Sequence, residues 1–128
     1  MSQFADEKPF VLVVEDDELI RMHAADMVRD LGFEAIEASN ADHAISLLES
    51  RSDILVVFAD IQMPGSMDGL HLVAVVRDRW PPIALLVTSG QVSPPASSLP
   101  PGARFVSKPD MSHELGTHLS ALTGFGFA

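Results

Sequence analysis

The sequence predicts an α/β fold: a doubly wound, five-stranded parallel sheet with the strand order 2-1-3-4-5. Short, continuous apolar runs recur along the chain, and such runs are typical of strands that are covered on both faces. Between these runs apolar residues repeat at helical spacing, so strands and helices alternate strictly. The 128 residues suit one domain, and the absence of cysteine excludes disulfide scaffolds and thiolate metal sites.

The first half of the chain predicts two strand–helix units. An apolar run at 10–14 predicts a strand, and a helix follows at 18–31, ending before Gly32. The alternating pattern of 33–38 is typical of an edge strand, and a helix over 40–50 follows it. The stripe of the first helix that we expect to face the core comprises Leu19, Ile20, His23 or Ala24, Met27, Val28 and Leu31.

The middle of the chain continues the alternation. Apolar runs at 54–59 and 83–88 predict two further strands. The helix between them is predicted over 70–80, because Pro81 disfavours helical geometry in the residue before it.

The last third departs from this regularity before it completes the sheet. Residues 91–102 contain four prolines in two pairs, which argues against a helix longer than about one turn. A strand at 104–107 and a helix at 111–123 follow. We expect residues 1–8 to form a flexible arm, 9–123 the domain and 124–128 a short tail.

The charge balance narrows the range of possible functions. Eight basic residues against 18 acidic ones give a formal net charge of −10, which argues against direct nucleic-acid binding. Neither a membrane-spanning run nor a signal peptide is visible, so we predict a cytoplasmic protein without membrane insertion.

Polar residues collect after the ends of four predicted strands. Glu15 and Asp16 follow the first strand, Asp60 the third, Thr88 the fourth and Lys108 the fifth. In open α/β sheets, ligands bind at this edge, where the strand order reverses. Clustered carboxylates repel one another and favour Mg²⁺, and an aspartate beside a metal, a lysine and a hydroxyl is a plausible nucleophile toward phosphorus. Taken singly, each feature has an ordinary structural interpretation: the acids after the first strand as helix N-terminal residues, Asp60 as a turn residue and Lys108 as a solvated side chain.

The segments 11–21, 59–70, 86–90 and 105–109 resemble, in order and spacing, the receiver domain of two-component response regulators. The resemblance implies the flavodoxin-like receiver fold, with Asp60 as phosphoacceptor and Mg²⁺ as cofactor. It implies that the metal is held by Glu15, Asp16, Asp60 and the main-chain carbonyl of Gln62. It further implies that Thr88 and Lys108 contact the phosphoryl group, and that Thr88 and Phe105 act as the switch.

Three departures from the family pattern stand out. Ser66 lengthens the loop after Asp60 by one residue, and the proline-rich residues 91–102 indicate that the family's fourth helix is short or missing. Only about 19 residues follow Pro109, so we expect a stand-alone receiver.

The main functional hypothesis is a phosphorylation switch rather than an enzyme, apart from self-phosphorylation and slow autodephosphorylation. The expected partners are a histidine kinase or histidine phosphotransfer protein and an unknown downstream protein. The alternatives are a relay intermediate or phosphate sink, a flavin-binding flavodoxin-like module and a metal-dependent phosphatase. The acidic strand ends disfavour flavin phosphate, and Gln62 stands where the phosphatase would need a second aspartate.

Overall fold

The computed structural model describes residues 10–61, 69–89, 99–107 and 111–123, and in it five parallel strands lie in the order β2-β1-β3-β4-β5. The predicted α/β fold and strand order are therefore confirmed. The elements, in chain order, are β1 (Phe10–Val14), α1 (Glu18–Asp30), β2 (Glu34–Ala38), α2 (Ala41–Ser50), β3 (Ile54–Asp60), α3 (Gly69–Arg79), β4 (Ala84–Ser89), β5 (Arg104–Ser107) and α4 (Met111–Thr123).

Every predicted element that falls within the described residues is present, with ends that differ from the prediction by one residue at most. No helix in this part of the chain is long and apolar enough to cross a bilayer. Several predictions concern positions outside the described residues, namely the arm 1–8, Gln62, Ser66, most of the proline-rich segment, Lys108 and the tail 124–128.

The sheet is buried on both faces, as its continuous apolar runs predict. Alternate side chains of the central strands point to opposite faces. Leu12 and Val57 pack on the face covered by α2 and α3, whereas Val13 and Phe58 pack on the face covered by α1 and α4. β2 lies at the edge of the sheet, as its alternating sequence predicts, and four of its five residues are half-buried.

The orientation of α1 differs from the prediction in its first turn. Leu19 and Ile20, which we expected to face the core, are 76% and 40% exposed. Ala24 and Val28 of the predicted stripe are buried, together with Ala25. Ala24 and Val28 pack in the core on this face of the sheet, whereas the larger residues of the first turn are left in solvent.

A cavity of about 510 Å³ lies at the amino edge of the sheet, where β3 and β4 begin. Its walls include Leu48, Ile54, Trp80 and Ile83. The guanidinium carbon of Arg79 lies 4.3 Å from the centre of the Trp80 ring and covers one side of the indole.

Candidate functional site

Three polar side chains meet at the carboxyl edge of the sheet, because parallel strands end there together. Glu15 directly follows β1, Asp60 ends β3, and Thr88 is the penultimate residue of β4. Val14 is the register partner of Ala59, and Asp60 is the register partner of Thr88. Alternation along the strands therefore places Glu15, Asp60 and Thr88 on the face that α1 and α4 cover.

Glu15, Asp16 and Asp60 form a carboxylate cluster. One oxygen from each residue lies within 4.8 Å of the other two. Glu15 and Asp60 are only 4% and 5% exposed, whereas Asp16 is exposed. At this distance two carboxylates repel each other by about 3.5 kcal/mol for an effective dielectric near 20. The cluster is thus electrostatically unfavourable by itself and suited to a hard cation.

The three acids of the connection between β1 and α1 have different local roles. A carboxylate oxygen of Glu15 accepts a hydrogen bond from the Asp17 amide at 3.1 Å. Asp17 in turn caps α1, because its carboxylate accepts from the Ile20 amide at 3.0 Å. The helix-cap interpretation of this acidic run is therefore correct for Asp17, which leaves Glu15 and Asp16 at the cluster.

Gly69 allows α3 to begin directly against the end of β3. A Cβ atom at this position would lie 2.1 Å from the Asp60 carbonyl oxygen and 2.4 Å from the Ile61 Cα. Only glycine fits such a close approach of two main chains. The sequence pattern gave no indication of this contact, which fixes the main chain of Asp60.

Thr88 places a hydroxyl beside Asp60. Its side chain is 4% exposed, and its Oγ1 atom has no hydrogen-bond partner in the part of the chain that the structure describes. The main-chain carbonyl of Thr88 accepts from the Ile61 amide at 2.9 Å and so ties the ends of β3 and β4 together. Phe105 lies on β5 as the register partner of Val87 on β4. It is half-buried and packs against the core beneath α2 and α3.

A family model described as "Response regulator receiver domain" matches residues 11–120. The chain belongs to the response regulator receiver domain family. The receiver domain resembles the response regulator protein FleR of Pseudomonas aeruginosa, with 34% identity over 95 residues that cover 73% of this chain and 20% of FleR. It also resembles the transcriptional regulatory protein PdtaR of Mycobacterium tuberculosis, with 36% identity over 83 residues that cover 63% of this chain and 40% of PdtaR. It therefore spans less than half the length of either relative.

Solved structures agree with this assignment. The structure of a response regulator receiver protein from Sinorhizobium medicae matches the receiver domain with a TM-score of 0.81 and 25% identity, covering 92% of this chain and 94% of that one. NtrX from Brucella abortus matches with a TM-score of 0.82 and 28% identity, covering 92% of this chain and 27% of NtrX. Membership of the family favours the phosphoacceptor hypothesis over the flavin-binding alternative.

The residues present fit a magnesium site. Mg²⁺ takes oxygen ligands and is usually bound through one or two carboxylates together with water and phosphate oxygens. The cluster supplies three such oxygens within 4.8 Å of one another, two of them from nearly buried side chains. Of the predicted site residues, Glu15, Asp16, Asp60 and Thr88 thus lie together at one edge, while Gln62 and Lys108 are outside the described residues.

Proposed function

We propose that this receiver domain accepts a phosphoryl group on the Asp60 carboxylate and thereby changes its binding to a downstream protein. The donor is a phosphohistidine of a histidine kinase or of a histidine phosphotransfer protein. The observation that best supports the proposal is the grouping of Asp60 with Glu15 and Asp16, next to a buried hydroxyl of Thr88 without a hydrogen-bond partner in the described residues.

The transfer is a nucleophilic displacement at phosphorus. A carboxylate oxygen of Asp60 attacks the phosphorus, and the bond between phosphorus and the histidine nitrogen breaks. The electron pair of that bond stays with the imidazole, which takes up a proton. Mg²⁺ held by Glu15, Asp16, Asp60 and the carbonyl of Gln62 would offset the negative charge on the phosphoryl oxygens, and we assign the Lys108 ammonium the same role.

Thr88 and Phe105 form the switch in this proposal. The Thr88 hydroxyl gains a strong acceptor when Asp60 carries a phosphoryl group, because a hydrogen bond to a charged oxygen is about twice as strong as a neutral one. Movement of Thr88 toward that group shifts β4, and Phe105, which packs on the opposite face of the sheet, rotates in response. Phosphorylation thereby favours one of two pre-existing arrangements of β4 and β5.

The donor-docking surface is formed by Leu19, Ile20 and Met22 in the first two turns of α1. These residues are 76%, 40% and 48% exposed and comprise three of the four exposed large hydrophobic side chains in the described residues. They follow the carboxylate cluster within a few residues along the chain. Grouped exposed apolar side chains are typical of protein-binding surfaces, so a donor that docks there brings its histidine close to Asp60.

The test is incubation with acetyl phosphate and Mg²⁺, followed by intact-mass measurement. We expect the mass of one phosphoryl group to be added to the wild-type chain and to Asp53→Asn, which removes a carboxylate far from the cluster. Asp60→Asn should gain nothing. An unchanged wild-type mass, or an adduct that persists in Asp60→Asn, contradicts the proposal. Transfer from the phosphorylated chain to histidine phosphotransfer proteins, followed with radiolabelled phosphate, then separates an output module from a relay.

A further inference from the structure

Arg21 connects the carboxylate cluster to the edge of the sheet. It is the fourth residue of α1, and its side chain is only 15% exposed, although arginine is among the residues least often buried. Its guanidinium lies between the connection after β1 and the edge strand β2. No apolar pattern in the sequence indicates this location.

Two separate nitrogen atoms of Arg21 make the connection. Nε donates to the Glu37 carboxylate on β2 at 3.2 Å, and Nη1 donates to the main-chain carbonyl of Glu15 at 3.0 Å. An ion pair alone requires only the first of these bonds. The second bond is directed at the peptide group that joins Glu15 to Asp16, so it acts on the main chain of the cluster.

The main chain of Glu15 is consequently held on both sides. Its amide donates to the Ala38 carbonyl at 3.1 Å, and its carbonyl accepts from Arg21. We infer that Arg21 is a positioning residue, which holds the peptide between Glu15 and Asp16 so that both carboxylates stay beside Asp60 and bind Mg²⁺. This inference rests on the proposed function, because it assigns Arg21 a role in the metal site of that function.

A positioning role and a purely electrostatic role of Arg21 predict opposite changes in Mg²⁺ affinity when the side chain is removed. Arg21 carries a positive charge next to a cation site, so its removal would tighten Mg²⁺ binding if charge alone mattered. Loss of positioning has the opposite result, because the two carboxylates are no longer held together. Residues that orient metal ligands typically contribute between tenfold and a hundredfold to metal affinity, so we expect Arg21→Met to weaken Mg²⁺ binding about tenfold.

Arg29 provides a matched control. Its Nη2 lies 3.6 Å from the other oxygen of the Glu37 carboxylate and 3.3 Å from the Ala35 carbonyl, but Arg29 is not bonded to Glu15. Arg29→Met therefore loses a cation beside the same carboxylate and leaves the Glu15 carbonyl bonded. We expect its Mg²⁺ affinity to equal that of the wild type.

The experiment titrates MgCl₂ into the unphosphorylated full chain and follows binding by calorimetry and by the amide NMR signals of residues 15–17. Weaker binding in Arg21→Met with unchanged binding in Arg29→Met supports the inference, whereas equal or tighter binding in Arg21→Met overturns it. If Arg21→Met does not fold, Arg21→Lys takes its place, because lysine keeps the positive charge but carries it on a single donor atom. A wild-type Mg²⁺ affinity in Arg21→Lys also overturns the inference. A wild-type chain that binds no Mg²⁺ and takes no phosphoryl group refutes the proposed function itself, which is a different outcome.

Discussion

Replacement of Gly69 by alanine tests how closely α3 must approach Asp60, the proposed phosphoacceptor. The new methyl group would lie 2.1 Å from the Asp60 carbonyl oxygen, 2.4 Å from the Ile61 Cα and 2.7 Å from the Asp60 carbonyl carbon. All three are main-chain atoms, so no side-chain rotation relieves the overlap. Ordinary contacts of this kind begin near 3.4 Å, and α3 must therefore move away from β3 by about 1 Å.

The expected loss of stability follows from two opposing terms. Overpacking of this severity costs about 3 kcal/mol, whereas alanine gains about 1 kcal/mol over glycine in a helix. The net loss of about 2 kcal/mol corresponds to a decrease in Tm of about 8 °C for a domain of this size. The displaced Asp60 main chain should also slow phosphorylation by acetyl phosphate about a hundredfold, because misplacement of a reacting group by about 1 Å has effects of that order.

The assay combines thermal unfolding with phosphorylation rates measured by intact mass, and Gly32→Ala serves as the control. Gly32 has a φ of +95°, and no atom lies within 4 Å of the position that a Cβ would take, so its substitution costs about 1–2 kcal/mol through main-chain strain alone. It lies before β2, at the amino edge of the sheet, and should leave phosphorylation unchanged. A wild-type Tm in Gly69→Ala refutes the steric reasoning, and an equal loss of phosphorylation in Gly32→Ala shows that stability rather than position is responsible.

Three further predictions concern other parts of the molecule. Thr88→Val removes a buried hydroxyl without a partner in the described residues, so the free energy of unfolding of the unphosphorylated protein should rise by about 1 kcal/mol. The yield of phosphorylated chain in the mass assay should fall, and a lower Tm contradicts the prediction. Leu19→Ser should slow transfer from a phosphohistidine donor but not from acetyl phosphate, with a stability change within about 0.5 kcal/mol, and Leu55→Ser, exposed at the opposite edge, should slow neither. Hydrogen bonds from Arg51 hold the pKa of the Asp53 carboxyl below its ordinary value, so this group stabilises the fold above about pH 4 and loses that contribution as the pH falls below it. Asp53→Asn should accordingly unfold at lower urea concentration than the wild type at pH 6, and this difference should shrink as the pH falls below about 4. A difference that stays constant as the pH falls argues against the ion pair.

The parts of the fold that depend on apolar burial could be predicted from the sequence. Continuous runs such as 10–14 and 54–59 become β1 and β3 because both faces of these strands are covered. Once the strands are parallel, their carboxyl ends share one edge, and this alone brings Glu15, Asp60 and Thr88 together. Spacing along the chain was sufficient for this prediction, since it requires no knowledge of side-chain contacts.

The features that the sequence did not predict depend on the close approach of main-chain segments and on contacts between residues far apart in the chain. The prediction that Leu19 and Ile20 face the core was wrong, although Ala24 and Val28 of the same stripe are buried, because periodicity alone does not tell where along the helix contact with the sheet begins. The requirement for Gly69 arises from main-chain contact and leaves no trace in hydropathy. The bond between Arg21 and Glu37 joins residues 16 positions apart, and neither residue type signals its partner.

The location of Trp80 beside the cavity makes its fluorescence a reporter of structural change. Trp80 is the only tryptophan in the sequence, and it lies where β3 and β4 begin, whereas Asp60 ends β3. The seven residues of β3 separate the two ends by about 20 Å. At that range a phosphate on Asp60 cannot quench the indole by contact. Any change in its emission after acetyl phosphate is added therefore reports a rearrangement transmitted along β3 or along α3, which begins against Asp60 and ends beside Trp80.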